Sequence, residues 1–250
     1  MKIIKKAIKK SVLFIVPRGS GLFNWLYYHF YWKPEGEIGR YIQHYSKKKG
    51  KGKMTFMQVG ANDGITGDNI FWFIKYHHWS GILIEPIVYL FEKLKRTYKH
   101  FSNQLFFENV AISGQDEIKE FYYIENFQKN EQYPEWLRQL GSFKKEHVEW
   151  VEKAYPGLKM KVEKLNCVKL TSLIEKYDYH NLDFLYIDVE GYDFEIIKSI
   201  DFSIFKPQLI YYEHRHLIKE DKENSKKFLA DKGYDIITGE FDNLAIAKIQ

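Results

Sequence analysis

The chain is 250 residues long, 45% hydrophobic and 18% aromatic, enough apolar material for one ordinary core and too much for a disordered protein. Its single cysteine, Cys167, excludes an internal disulfide, and with no export signal visible a reducing, cytoplasmic setting is expected. The net charge of +5 is uneven, because residues 1–53 carry 13 Lys/Arg against Glu35 and Glu37, a balance of +11 that leaves −6 for the rest. An acidic body argues against nucleic acid as a partner.

The basic arm opens with Ile4, Ile8, Val12 and Ile15 at helical spacing among lysines. Such a helix over residues 1–16 suits the inner face of an anionic membrane, and it equally suits packing on its own domain or on a second copy in a homo-oligomer. The apolar run Val12 to Val16 is too short to span a bilayer. Lysine and glycine then dominate from Ser46 to Lys53, which reads as an exposed connector. The expected division is a helical arm and connector over 1–53 and a folded domain over 54–250.

That domain opens with the strand-like run Thr55 to Val59, the turn Gly60-Ala61-Asn62-Asp63-Gly64, and a second apolar run closed by an acid, Ile82-Leu83-Ile84-Glu85-Pro86. This is the layout of a nucleotide-binding βαβ unit, in which the turn lets backbone approach the ligand and the acid accepts hydrogen bonds from a ribose. Gly60, Gly64 and Gly67 are spaced G-x-x-x-G-x-x-G, with Asn62 where a pyrophosphate-binding turn has its second glycine. The spacing favours an adenosine ligand without phosphates, such as S-adenosylmethionine, over NAD and its hydride chemistry. A tight turn that holds no ligand is the competing reading.

Helices follow near 68–77, 87–99, 192–200 and 221–232, and strands at Leu105 to Val110, Phe184 to Val189 and Leu209 to Glu213. A hairpin from Tyr234 to Gly239 and Leu244 to Ile249 closes the chain. Alternation of this kind implies an α/β fold with a parallel sheet covered on both faces. Trp72, Phe73, Tyr76 and Trp79 recur near helical spacing and read as core. From about 125 to 164 the rhythm breaks around a polar helix expected from Gly141 to Tyr155. An insertion there reads as a lid over the crevice at the strands' carboxyl ends. Tyr133 and Trp136 are its candidates for stacking on a sugar.

Three segments together resemble the FkbM family of class I S-adenosylmethionine-dependent methyltransferases. They are Val59 to Gly64, then Ile84-Glu85-Pro86 with Asn109-Val110-Ala111-Ile112, and above all Leu182 to Asp193, which carries D-x-E-G after an apolar strand. The resemblance implies a Rossmann-like, seven-stranded, mostly parallel doubly wound sheet. It also implies methyl transfer, most often to a hydroxyl of a sugar or of a glycosylated or polyketide product, so a surface glycan or its precursor is the expected acceptor. The family commonly has an acid where this chain has Gln58, and an amide accepts a hydrogen bond from the cofactor's amino acid part more weakly than a carboxylate. Asp193 stands where the family often has Glu. Cofactor contacts then fall on Gln58, Gly60, Asn62, Asp63, Gly64, Glu85, Pro86, Asn109, Ala111 and Asp188.

Methyl transfer from a sulfonium mainly needs alignment and the exclusion of water. A sugar hydroxyl must also lose its proton, which calls for a base or a metal. Asp188 at the end of the fourth strand of the sheet, Glu190 in the loop beyond it, His214 at the end of the next strand and His147 in the lid are the candidates. Asp188, Glu213 and His214 form a candidate site for Mg²⁺ or Mn²⁺. Each also has a plainer role, Asp188 as a helix cap, Glu190 as a partner of amides or a lysine, and the histidines, His216 included, as packed or surface groups. The competing functions are N-methylation of an amino or phosphoramidate group on a sugar, and a non-catalytic, membrane-associated binding protein that keeps the fold.

Overall fold

The computed structural model describes residues 36–125 and 133–248, so the lysine-rich pattern at residues 1–16 lies outside the described residues. In chain order the elements are α1 (Gly36–Lys49), β1 (Thr55–Val59), α2 (Phe71–His77), β2 (Ser80–Ile84), α3 (Val88–Tyr98), β3 (Leu105–Glu108), β4 (Ala111–Ile112) and β5 (Glu117–Ile124). A 3₁₀ turn (Glu135–Gln139), β6 (Gly141–Ser142), α4 (Glu146–Ala154), β7 (Met160–Val168) and α5 (Leu170–Tyr177) follow. The last third holds β8 (Phe184–Ile187), α6 (Asp193–Lys198), β9 (Leu209–Glu213), α7 (Lys219–Asp231), β10 (Tyr234–Thr238) and β11 (Asp242–Ala247). Among the described residues no helix is long and apolar enough to cross a membrane.

Strands that are apolar at nearly every position must bury both faces, and this is what organises the main sheet. Its order is β10-β11-β9-β8-β1-β2-β3, with β11 antiparallel to both neighbours and every other pairing parallel. Side chains alternate along each strand. Met57, Val59, Ile82, Ile84, Leu185, Ile187, Ile210 and Tyr212 face one core with Leu173 and Ile174 of α5, Ile197 of α6 and Leu229 of α7. Phe56, Leu83, Phe184, Tyr186, Leu209 and Tyr211 face the other, with Ile42 of α1, Phe73 of α2 and Leu94 of α3. Each such large apolar side chain contributes about 1.5–3 kcal/mol when fully buried. The two cores therefore far outweigh the exposed ion pairs, each worth about 0–1 kcal/mol.

A second sheet, in the order β4-β7-β5-β6, was not expected from the sequence. It is built mainly by the long antiparallel pairing of β5 with β7, from Glu117 opposite Cys167 to Ile124 opposite Met160. The helix expected from Gly141 is shorter, since Gly141 and Ser142 pair with β5 and α4 starts only at Glu146. Of the four aromatic residues read as core, Phe73 and Trp79 are fully buried and stacked, at 4.7 Å between ring centres, whereas Tyr76 is exposed.

The stretch from Ser46 to Lys53, read above as an exposed connector, differs at its start: Ser46 to Lys49 form the last turn of α1, and Ser46 is 1% exposed. Hydrogen bonding explains the difference. Ser46 Oγ accepts from the buried Trp79 indole (2.8 Å) and meets His77 Nδ1 (2.7 Å). Lys49 Nζ donates to the buried Asp183 (2.6 Å), which also accepts from the Thr55 backbone amide (2.9 Å). The helix is thereby tied to the edge of the sheet where β1 and β8 begin. Ser46→Ala strands the Trp79 N–H in the core, and we expect a loss of about 1–3 kcal/mol in urea unfolding. A change under about 0.5 kcal/mol would mean that this end of α1 is peripheral to the fold.

Candidate active site

The carboxyl ends of β1, β2 and β8 converge on an open-mouthed cleft, the place where sheets of this architecture bind their ligands. Gly60 makes the convergence possible. It has φ +83°, and a Cβ there would stand 1.9 Å from the Asp188 carbonyl oxygen. Asn62 follows at φ 53°, a left-handed conformation that Asn tolerates. This turn aims the Asn62 amide at Glu85 Oε2 (2.8 Å), while Ile87 N donates to Oε1 (2.9 Å). Each carboxylate oxygen keeps a second lone pair for a ribose hydroxyl. Burial lifts the Glu85 carboxyl to about 7 against the pull of those two amides.

Not every expected cofactor residue lines the cleft. Gln58, Gly60, Asn62, Glu85, Pro86, Ala111 and Asp188 do. Asp63 instead closes the turn, its Oδ1 accepting from Ile65 N (3.1 Å) and Thr66 N (2.8 Å). Gly64 packs against α3, where a Cβ would meet Tyr98 and Leu94 at 2.6 and 2.7 Å. Asn109 Nδ2 donates to the Glu85 and Pro86 carbonyls (2.8 and 3.0 Å) and so fastens β3 to β2. These three hold the wall from behind.

Gln58 and one further cleft residue, Asp68, form a buried pair. Gln58 Nε2 donates to Asp68 Oδ2 (3.1 Å), and Gln58 Oε1 is buried with no hydrogen-bond partner among the described residues. Asp68 escaped the sequence reading, although an acid just before an apolar helix is a capping signal. The cleft fits S-adenosylmethionine on this chain's own features: an orphaned acceptor at Gln58, an approach at Gly60 that only backbone can fill, and unused lone pairs on Glu85.

Around the mouth the acids crowd together. Asp188 accepts from the Tyr186 hydroxyl (3.2 Å), and burial, then the Asp242 charge, pushes its carboxyl upward. Glu190 sits at φ 52° beside Gly191 at φ 90°. A Cβ on Gly191 would strike the His147 ring at 2.3 Å, which brings that lid histidine to the loop. Ser142 Oγ donates to the Glu190 carbonyl (3.0 Å), a second clasp from the insertion. Glu190 is raised by burial and then by Asp188, and Glu213 by burial and then by Asp188 and Glu190.

The predicted metal set needs correction. His214 is not among the clustered groups, and its Nε2 meets the Gly239 carbonyl (3.3 Å). The residues brought together are Glu190, Glu213 and His216, whose ligand atoms lie within 4.8 Å of one another. His216 Nε2 is 3.4 Å from Glu190 Oε2 and 3.8 Å from Glu213 Oε1. Burial, then nearby positive charge, lowers both His216 and His147. On the facing wall, Trp136 lines the cleft at 45% exposure and stacks on Trp150 with ring centres 6.2 Å apart. Tyr133 is engaged elsewhere, its hydroxyl donating to the Pro156 carbonyl (2.6 Å).

The family model "Methyltransferase FkbM domain" matches residues 58–236, more than half of the chain, and the protein belongs to that family. It is an S-adenosylmethionine-dependent methyltransferase. Among solved structures it is similar to a METTL16 methyltransferase domain at 10% identity and TM-score 0.47, over 87% of this chain and 71% of that one. The N-terminal domain of human METTL16 in complex with SAH matches at 12% and 0.45, over 94% and 73%. M. capricolum TrmK in complex with S-adenosyl-homocysteine matches at 8% and 0.39, over 82% and 66%. No curated protein matches the chain.

Burial also sets a pH dependence. Asp68 and Glu85 keep their protons up to about pH 6 and 7 when folded, against 3.8 and 4.5 ordinarily. The unfolded chain releases these protons first, so the stability they contribute falls as pH rises across that window. For the ligand-free protein, Glu85→Gln should lower the melting temperature yet flatten its decline between pH 4.5 and 7.5 (the window set by the Glu85 shift). Parallel pH profiles for variant and wild type in thermal melts would show that Glu85 does not titrate this way.

Proposed function

We propose that this enzyme methylates a hydroxyl oxygen of a sugar in a surface glycan or its precursor. One juxtaposition carries the assignment: the carboxylates of Asp188 and Glu190 share the cleft with the exposed indole of Trp136. Carboxylates accept hydrogen bonds from hydroxyls, and an indole face covers the C–H face of a pyranose. The same acids repel a phosphate backbone. Neighbouring aromatic groups, Phe121 and Phe143, extend the apolar part of the wall.

Bound S-adenosylmethionine would supply a methyl group on a sulfonium, already activated for transfer. Glu85 would hold the ribose hydroxyls, and the Gly60 to Asn62 backbone would shape the wall beside them. Glu190 is the base. Its side chain lies at the mouth, 30% exposed, whereas Asp188 lies deeper and is bonded to Tyr186. Asp188 charge raises the basicity of Glu190, which suits a group that must take a hydroxyl proton near neutral pH. His147 and His216, both held neutral, flank it as a path for that proton to solvent.

Glu190→Gln should keep affinity for S-adenosylhomocysteine in calorimetry and lower kcat about a hundredfold or more, the range for losing a general base. The acid limb of the pH–rate profile, set above the ordinary carboxylate range, should vanish with it. Wild-type turnover in this variant would remove Glu190 from the chemistry. An amine acceptor, which carries its own lone pair when neutral, would be the outcome favoured if Glu190→Gln and Asp188→Asn both retain full activity.

A divalent cation is a second possibility, favoured by the close approach of Glu190, Glu213 and His216. Carboxylates with one imidazole suit Mn²⁺ or Mg²⁺, and a cation there would stabilise a developing alkoxide. On this alternative EDTA abolishes turnover, and Mn²⁺ or Mg²⁺ restores it. Turnover indifferent to EDTA leaves Glu190 acting without a metal.

A further inference from the structure

Exposed apolar side chains gather beside the cleft mouth. Ile218 beyond β9 (60% exposed) and Phe241 in the β10–β11 turn (43%) stand at the carboxyl ends of the strands, and Trp136 and Trp150 of the insertion join them. Contacts link the set into an arc. The exposed Arg215 guanidinium lies over the Phe241 ring at 4.8 Å, and Arg215 N donates to the Phe241 carbonyl (3.1 Å). The next residue, His216, meets His147 with ring centres 6.2 Å apart, and the His147 carbonyl accepts from the Trp150 indole (3.0 Å). Trp150 in turn stacks on Trp136, which lines the cleft. Single exposed apolar residues need no explanation, whereas a connected row of aromatic groups with a guanidinium on a cleft rim marks an interaction surface.

The segment ahead of α1 reaches the fold at this same rim. α1 ends at the strands' amino ends, where Lys49 pairs with Asp183, and it starts by the β10–β11 turn, where a Cβ on Gly239 would stand 3.1 Å from Ile38 Cδ1. Residues 1–35, which precede it in the sequence, carry seven Lys/Arg against Glu35 alone, and seven of residues 21–32 are aromatic. Lysines attract an anionic lipid surface, and Trp and Tyr favour its boundary with water. A second copy suits this face less well, because a two-fold contact would oppose two such arms and set both acidic mouths against each other. Glu190 and Glu213, beside His216, are less exposed than Arg215, so a surface resting on the rim meets the guanidinium before the carboxylates.

Resting on the reading of a sugar as acceptor, we propose that the cleft mouth docks on an anionic lipid bilayer, with Trp150, Ile218 and Phe241 at the headgroups and residues 1–35 held to the same surface, so that the sugar methylated is that of a lipid-linked glycan. In this orientation the acceptor enters from the membrane side, next to Trp136 and Glu190. The bilayer also covers the mouth against water, which transfer requires.

The test is sedimentation of the full chain with phosphatidylcholine vesicles, prepared with and without phosphatidylglycerol. The chain should prefer the anionic vesicles, and salt should weaken that preference. Ile218→Glu and Phe241→Glu should each weaken binding about tenfold or more, the scale of taking one large apolar side chain out of water. Ile204→Glu should leave it unchanged, since Ile204 is also exposed (41%) but lies in the turn before β9, at the strands' amino ends. Unaltered S-adenosylhomocysteine affinity in calorimetry shows that each variant is folded. Equal weakening by Ile204→Glu, no weakening by the two rim variants, or a wild type that does not bind anionic vesicles overturns the docking. A concentration-dependent dimer that only the rim variants abolish, with no vesicle binding, overturns it in favour of a second copy. Vesicle binding requires no sugar, so these failures are distinct from failure of the acceptor reading, which Glu190→Gln tests.

Discussion

Gly60 and Asp188 meet backbone to backbone, with a gap that no side chain can enter: a Cβ on Gly60 would stand 1.9 Å from the Asp188 carbonyl oxygen. The pairing of β1 with β8 runs one step past the strands through this contact, as Asp188 N donates to the Val59 carbonyl (3.0 Å). The chain then turns back so sharply that Gly60 N and Ala61 N both reach the Ile84 carbonyl (3.1 and 2.9 Å). Three strand ends are in this way laced together by main chain alone. Glu85, just past β2, and Asp188, just past β8, take their places at the cleft from that lacing.

The site sits on this frame at a cost. Asp68, Glu85, Asp188, Asp193, Glu190 and Glu213 all have carboxyl groups pushed upward by burial. Concentrating like charges at low dielectric opposes folding. The apolar faces of the central strands offset it, and they are kept apart from it: the two cores lie above and below the sheet, and the acids lie along its carboxyl edge. Function and stability therefore occupy different parts of the same strands.

Much of the main sheet was legible because its strands carry their signal along the chain. Thr55–Val59 and Leu209–Glu213 coincide with the runs read from the sequence, and the remaining core strands differ only at their ends. The second sheet was hidden because its pattern is inverted. On β5 the outward position holds Ile118, 67% exposed, while Lys119 points inward and donates to the Tyr192 hydroxyl (2.8 Å). On β7, Val162 faces outward and Glu163 turns in to accept from the Tyr123 hydroxyl (2.6 Å). A polar group satisfied by one distant partner erases the alternation that marks a strand. The site was legible to the same extent. Glu85, Gly60 and Asp188 follow from strand ends and turn spacing, but which of two histidines two residues apart meets Glu190 depends on how the chain leaves β9.

The second sheet also joins the main fold in an unusual manner. The chain departs at Ala111–Ile112 and returns at Cys167–Val168, and these two pieces run side by side as a parallel pair. Ser113 N reaches the Val168 carbonyl (3.1 Å) as a further stitch at the neck. Departure and return at one point make the 55 or so residues between them a closed excursion whose length costs the rest of the fold little. Yet that excursion supplies Trp136, Gly141 and Phe143 to the cleft. The excursion can therefore change in length without disturbing the register of β1, β2 and β8, although it lines part of the same cleft.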